Sequence, residues 1–328
     1  MESLLTISDL CVEFRPDVAG PPVRALTGAN LRVAPAEIIG ILGESGSGKS
    51  TLGRSVMQLL PATAAITRGK LEFEGQNLAA LSSRQMQRLR GAEIALIPQE
   101  PGLALNPFLK VGKQIAEVLR VHKSWDWKRC CNEAEALLDL VKLESSERKV
   151  FDAYPHELSG GQQQRVAIAQ AISCQPKLIV ADEPTASLDH QTEAQVLELL
   201  HNLAKQRGAA LLLITHNPPI LETLADRVAV MYAGRVVEDG PASTVLQAPE
   251  HPYTRALMAC VCREATTEKR KVGERFPSIP GSAPDPRSNW RGCAFLPRCA
   301  ASLSQCAESS PMATKTGGAL VECFLYEH

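Results

Sequence analysis

The chain has 328 residues and a formal net charge of −1. That length suits one large domain with an appendage, or two domains, and the charge balance excludes a global field that would draw it to nucleic acid or an acidic membrane. No run of about 18 apolar residues occurs, which excludes a transmembrane helix, and Met1-Glu2-Ser3-Leu4-Leu5 lacks the basic and apolar regions of a secretory signal.

Residues 4–14 and 23–33 alternate apolar and polar side chains and read as strands of an antiparallel edge sheet. Pro16, Gly20, Pro21 and Pro22 mark the loop between them. Phe14 ends the first strand, where an aromatic ring serves either the core or as a platform for adenine. Glu37 to Leu42 then reads as a short buried strand, and Leu52 to Leu60 as a helix. Between them stands Gly43-Glu44-Ser45-Gly46-Ser47-Gly48-Lys49-Ser50-Thr51, a full match to the phosphate-loop pattern G-x-x-x-x-G-K-[ST] in the strand–loop–helix context it requires. The glycines let successive backbone N–H groups turn inward around phosphate oxygens. The helix N-terminus adds partial positive charge. In such a loop Lys49 reaches the β/γ-phosphates and the Ser50 hydroxyl sits on Mg²⁺.

Residues 70–74 and 93–97 read as further strands, and Gln99 follows the second. From about residue 103 to 157 the pattern is helical, with Lys113–Leu119 and Cys131–Leu143 amphipathic. Ser159-Gly160-Gly161-Gln162 opens another helical pattern through Val166, Ala169 and Ile172, and a serine N-cap beside two glycines makes a second anion site. Lys177–Asp182 and Ala210–Thr215 are apolar runs separated by a helical stretch at about 190–206, which predicts buried parallel strands. An acid at the C-terminal end of such a strand stands where α/β sheets bind ligands. Asp182 suits Mg²⁺, directly or through water, and Glu183 suits polarising an attacking water as general base. At the same sheet edge Gln99 can bind Mg²⁺ or that water, and His216 can hydrogen-bond a γ-phosphate. The expected fold class is α/β, with one nucleotide module and a helical insertion.

The tail is different. His251 to Leu257 starts a short helix, Arg263 to Arg275 is a charged linker, and Ile279-Pro280-Gly281-Ser282-Ala283-Pro284 is a loop by composition. Of the ten cysteines, Cys293, Cys299, Cys306 and Cys323 come last, with five, six and sixteen residues between them. Four thiolates are the ligand count of a four-iron cluster. Structural zinc more often uses a C-x₂₋₄-C pair, which is missing here, and packed thiols are the third reading. Cys11, Cys130, Cys131, Cys174, Cys260 and Cys262 have no ligand-like companions and read as ordinary thiols.

Residues 158–165, Leu-Ser-Gly-Gly-Gln-Gln-Gln-Arg, resemble the signature motif of ABC-transporter ATPases. The other parts follow in that family's order: Walker A at 43–51, Q-loop Gln99, Walker B at 178–183, D-loop Ser187-Leu188-Asp189 and switch histidine His216. The resemblance covers about residues 4–250. It implies a P-loop NTPase core of ABC type with an antiparallel β edge subdomain, a helical subdomain at about 103–157, and head-to-tail pairing of two such domains. ATP would then lie between the Walker A of one chain and Ser159, Gly160, Gly161 and Gln162 of the other. Residues 251–328, with Gly292-Cys293-Ala294-Phe295-Leu296-Pro297-Arg298-Cys299, are similar to the Cys-rich C-terminal extension of dipeptide and oligopeptide importer ATPases, where the four cysteines hold a [4Fe-4S] cluster in several members.

The resemblance implies an ATP- and Mg²⁺-dependent ATPase powering di- or oligopeptide import. Its partners would be a second ABC ATPase subunit, identical or homologous, two membrane permease subunits and an extracytoplasmic solute-binding protein, on the cytoplasmic face of the inner membrane. The stretch from about Glu100 to Lys110 would pass the motion to the permease. The same machine could import nickel chelates, glycosides or opines. A soluble non-transport ABC ATPase usually carries coiled coils, zinc modules or two nucleotide modules, and neither these nor a basic stripe is visible. A redox- or iron-sensing tail is a weaker possibility.

Overall fold

The computed structural model describes residues 3–16, 20–143, 150–186, 188–265, 278–288 and 290–327. Ser187 of the expected D-loop and most of the expected charged linker lie outside the described residues. The chain forms two compact units, one built mainly from residues 80–214 and one from residues 3–33, 39–79 and 215–328.

The unit of residues 80–214 is α/β. Its strands Ile94–Ile97, Leu178–Asp182 and Ala210–Ile214 are parallel, in register Ile94 to Leu178 and Leu178 to Ala210. The second and third strands are buried at every position, as their continuous apolar sequences require of a sheet covered on both faces. Helices Gly160–Ile172 and His190–Arg207 precede and follow the middle strand. The longer helix starts where the Asp189 carboxylate accepts from the N–H groups of Gln191 and Thr192, and ends at left-handed Gly208. The helical stretch resolves into Pro101–Ala104, Val111–Lys123 and Trp127–Leu140. Gly112 lets two segments pack closely, since a Cβ there would lie 2.1 Å from the Phe151 ring.

The other unit holds two sheets. Val23–Val33, Leu5–Phe14, Ala64–Phe73 and Gln76–Asn77 form an antiparallel sheet in that order. The strand expected at 70–74 begins six residues earlier, at Ala64. Ile38–Leu42 lies parallel to Arg227–Tyr232, which pairs antiparallel with Arg235–Pro241. The tail adds a hairpin that its sequence did not suggest: Ala313–Thr316 and Ala319–Glu322 turn at Gly317-Gly318 and extend this sheet through Glu238 to Val321. Both turn glycines have positive φ, the hairpin geometry that the pair favours. The helix expected around 251–257 runs from Pro252 to Ala265.

Candidate active site

The phosphate loop is shaped by what surrounds it. Gly43 follows the buried strand Ile38–Leu42 with φ 155°, and a Cβ there would lie 2.3 Å from the Met231 carbonyl oxygen. Gly48 caps the helix Lys49–Val56 in the left-handed region, φ 103°, and its Cβ would lie 2.6 Å from the Ala25 carbonyl oxygen. Only glycine fits such positions without backbone movement. The hairpin turn Ala233-Gly234 braces the loop from below: Gly234 N–H donates to the Ser47 carbonyl at 2.9 Å, and Thr27 Oγ1 donates to the Ala233 carbonyl at 2.9 Å.

Lys49 is 5 % exposed. Its ammonium donates to the carbonyls of Gly43 at 2.8 Å and Glu44 at 2.9 Å. Ser47 is buried, and among the described residues its hydroxyl has no hydrogen-bond partner. Gly46 has φ 79° and faces open space. Ser50 and Thr51 stand in the first turn of the helix, half-buried, and the Thr51 carbonyl accepts from the Ser55 hydroxyl. Phe14 is half-buried at the end of its strand, outside the fully buried core. His216 is exposed, one residue after Thr215, whose N–H donates to the Ile41 carbonyl at 3.1 Å.

In the unit of residues 80–214, Asp182 closes the buried strand and is itself buried. Glu183 follows with φ 45°, a left-handed conformation uncommon for a side chain of this size. Strain of this kind gathers at functional sites. The Glu183 N–H is tied to the Ile214 carbonyl at 2.9 Å. Gln99 Nε2 donates to the Glu183 carboxylate at 3.3 Å, so these two expected site residues meet. Ser159 caps the helix Gly160–Ile172 in a reciprocal box: its Oγ accepts from Gln162 N–H, and Gln162 Oε1 accepts from Ser159 N–H. Ser159 and Gly160 are exposed.

The four tail cysteines are free thiols, with Cys306 and Cys323 buried and Cys293 and Cys299 half-buried. Cys293 N–H donates to the Cys306 carbonyl at 2.8 Å, and a Cβ on Gly292 would lie 2.1 Å from that same oxygen. Gly292 is therefore required by backbone approach. Burial pushes the Cys293 thiol up to about 11, and the neighbouring Cys306, Cys323 and Cys299 add to the shift. Burial likewise raises Cys299 and Cys323, each further by its neighbours in the set. Cys293, Cys299 and Cys323 are thus harder to ionise than an exposed thiol, burial being the larger cause and the neighbouring cysteines the smaller. Among the described residues no group of three or more His, Cys, Asp or Glu is arranged to hold a metal ion.

The phosphate loop also has a partner that the sequence did not single out. Glu44, a variable position of the pattern, accepts a two-pronged bond from Arg298 of the tail, at 2.8 and 3.0 Å. The two lie 254 residues apart in sequence, and no local signal links them.

Residues 26–186 match the family model "ABC transporter", and residues 237–306 match "Oligopeptide/dipeptide transporter, C-terminal region". The chain is 39 % identical to a peptide import ATP-binding protein of Brucella melitensis over 98 % of its own length and 94 % of that protein's. It is 40 % identical to the dipeptide transport ATP-binding protein DppD of Escherichia coli, over 94 % of this chain and 92 % of DppD. A dimeric, post-hydrolysis ATP-binding cassette bound to ADP and Pi superposes with TM-score 0.65 at 25 % identity, covering 73 % of this chain and 98 % of the cassette. Among the described residues no helix is long and apolar enough to cross a membrane. The chain belongs to the ABC-transporter ATP-binding family and is an ATPase of that type, carrying the C-terminal region of the oligopeptide/dipeptide transporters.

Proposed function

We propose that this chain is the ATP-hydrolysing subunit of an importer for di- and oligopeptides. The observation that carries the reading is a likeness running the length of the chain, tail included, to proteins named for peptide import. Lys49 and backbone N–H groups of the loop Gly43–Thr51 hold the nucleotide phosphates, and Phe14 stacks on the base. Ser50 and Asp182 hold Mg²⁺, with Gln99 on the ion or on the water. Glu183 takes the proton of the attacking water, and His216 donates to the γ-phosphate. Ser159, Gly160, Gly161 and Gln162 are presented outward to the nucleotide of a second ATPase subunit, which the dimeric state of the matched cassette favours. Two permease subunits hold this pair at the cytoplasmic face of the membrane, and an extracytoplasmic binding protein delivers the peptide. Purification from native membranes tests the reading. Peptide-binding and permease subunits should co-elute with the chain, and a nickel, sugar or opine receptor in their place would replace peptide as the solute.

Cys293, Cys299, Cys306 and Cys323 would hold a [4Fe-4S] cluster as a staple for the tail. What supports the reading is the count of four free thiols in the tail, three of them raised by burial with a neighbouring cysteine adding to the shift; among the described residues no group of three or more His, Cys, Asp or Glu is arranged to hold a metal ion. Anaerobically purified protein should contain about four irons per chain. Cys299→Ser should remove them. Stoichiometric zinc without iron would replace the cluster, and neither metal would leave packed thiols.

A further inference from the structure

Every polar group of Glu44 is engaged. Its N–H donates to Tyr253 Oη at 2.9 Å, and its carbonyl accepts from Lys49 Nζ at 2.9 Å and Ser47 N–H at 3.2 Å. Its carboxylate accepts the Arg298 fork. Arg298 stands in the short turn Leu296–Arg298, between Cys293 and Cys299. Its side chain is 4 % exposed, against 33 % for Glu44. The guanidinium also donates to the carbonyls of Pro280 at 3.1 Å and Ile279 at 3.3 Å, and lies over the Tyr232 ring at 5.8 Å. Beneath it Tyr232, Tyr253 and Phe295 pack ring against ring at 4.5 to 5.5 Å. Arg298 is thus a fixed cation on an aromatic platform, aimed at one side chain of the phosphate loop.

That side chain is an anion. Glu44 places a negative charge in a loop built to receive phosphates, and like charges at short range in a half-buried setting repel strongly. Arg298 cancels the charge. Its fork also fixes the residue whose carbonyl holds Lys49, and a planar guanidinium does this where a lysine ammonium cannot. We propose that Arg298 is a positioning residue for nucleotide binding: the tail neutralises and orients Glu44, so that the phosphate loop accepts ATP. This rests on the reading of residues 43–51 as the ATP site. It assigns the C-terminal tail a part in nucleotide binding in addition to any cluster it holds.

The test is Mg·ATP affinity of the full-length chain, read by displacement of a fluorescent nucleotide, beside steady-state hydrolysis. Arg298→Gln leaves the Glu44 carboxylate bare and should weaken ATP binding about tenfold, the scale of a hydrogen-bonded charge pair. KM should rise with it, while kcat at saturating ATP stays within about twofold, since the pair is made before and during turnover alike. Adding Glu44→Gln to Arg298→Gln removes the bare anion and should restore most of the lost affinity. A role confined to holding the tail together predicts the opposite, because a second substitution in the loop would not mend the tail. Arg298→Lys keeps the charge without the fork and should lose about threefold; it decides the matter if Arg298→Gln does not fold. Unchanged affinity in the single variants, or a double variant no better than Arg298→Gln, overturns the proposal. Lys49→Ala separates it from its premise. If Lys49→Ala still binds ATP normally, the site reading fails; if it abolishes binding while the Arg298 variants bind normally, the clamp alone fails.

Discussion

The phosphate loop and the turn at Ser159 use the same materials, glycines beside a serine at a helix start, and are built in opposite ways. In the loop, a Cβ on Gly43 or Gly48 would come within 2.3 or 2.6 Å of a carbonyl oxygen, and the lysine is buried against backbone. The rest of the fold imposes the shape before any ligand arrives. At the turn, a Cβ on Gly160 would meet nothing within 4 Å, and the Ser159 hydroxyl is bonded only to the N–H of its own Gln162. A Cβ on Gly161 would lie 2.6 Å from the methyl of Thr192, on the next helix. Gly43 and Gly48 answer to crowding; Gly160 leaves a surface open. A preformed pocket and an outward-facing cap are what one chain would need if it held its own nucleotide in the first and served another chain's with the second.

The largest expected effect isolates chemistry from both. Glu183→Gln should lower ATP turnover about 10²–10⁴-fold, as loss of a general base does, and leave ATP binding intact. Near-normal turnover in purified, ATP-bound protein would remove Glu183 as the base.

Next comes the outward-facing turn. Ser159→Arg should depress hydrolysis by the assembled transporter about 10²-fold, the scale of losing a preorganised donor at a reacting anion. ATP affinity of the isolated chain should stay within about twofold, because the hydroxyl serves the partner's nucleotide. Equal losses in both measurements would mean that the turn acts within its own chain, and the contrast with the phosphate loop would collapse.

Stability tests the same contrast without nucleotide. Gly48→Ala forces a side chain into a left-handed position against the Ala25 carbonyl, and should cost about 2–4 kcal/mol in urea unfolding. Gly160→Ala enters open space at a helix start and should be neutral, or stabilise by up to about 1 kcal/mol. If both variants lose the same stability, the crowding argument fails.

The parts of the molecule that announce themselves in sequence are those whose signal is local. The phosphate-loop pattern needs eight consecutive residues, Gly43 to Ser50, and the Ser159 cap needs its glutamine three positions on. The apolar runs ending at Asp182 and Thr215 are strands because nothing else that short and apolar fits between two helices. The tail hairpin was harder to see, since its strands span Ala313–Thr316 and Ala319–Glu322 and contain Lys315, Thr314 and Thr316. Gly317-Gly318 between them was the available clue. Arg227–Tyr232 and Arg235–Pro241 carry a similar clue in Ala233-Gly234. The Arg298–Glu44 fork had none, because an ion pair between distant residues depends on where two loops finish in space. The roles of the site residues also depend on ligands that supply most of the charge.

The smallest effect concerns the platform under the phosphate loop and is set by pH. His251 is 2 % exposed and neutral: its Nδ1 accepts from Tyr253 N–H at 3.0 Å, and its ring packs 6.1 Å from Phe295. Burial pulls its pKa from 6.5 down to about 3. In the unfolded chain the ring gains a proton near pH 6.5, whereas the folded protein resists it until about pH 3. Its contribution is therefore fully present above 6.5 and is lost progressively as pH falls between those values. By linkage the loss at pH 5 is about 2 kcal/mol relative to pH 7.5. Protonation would also turn Nδ1 from acceptor to donor and break the bond that sets Tyr253, the residue that holds Glu44 N–H. Burial pushes the carboxyls of Glu238 and Glu322 upward, which stabilises the fold toward acid and opposes the histidine. The wild-type curve alone mixes these contributions, and the comparison with His251→Gln separates them. The variant should be less stable at pH 7.5 and lose about 2 kcal/mol less than wild type on going to pH 5. Parallel curves for the two proteins would mean that the imidazole takes its proton without penalty, and that the platform is looser than the phosphate loop it supports.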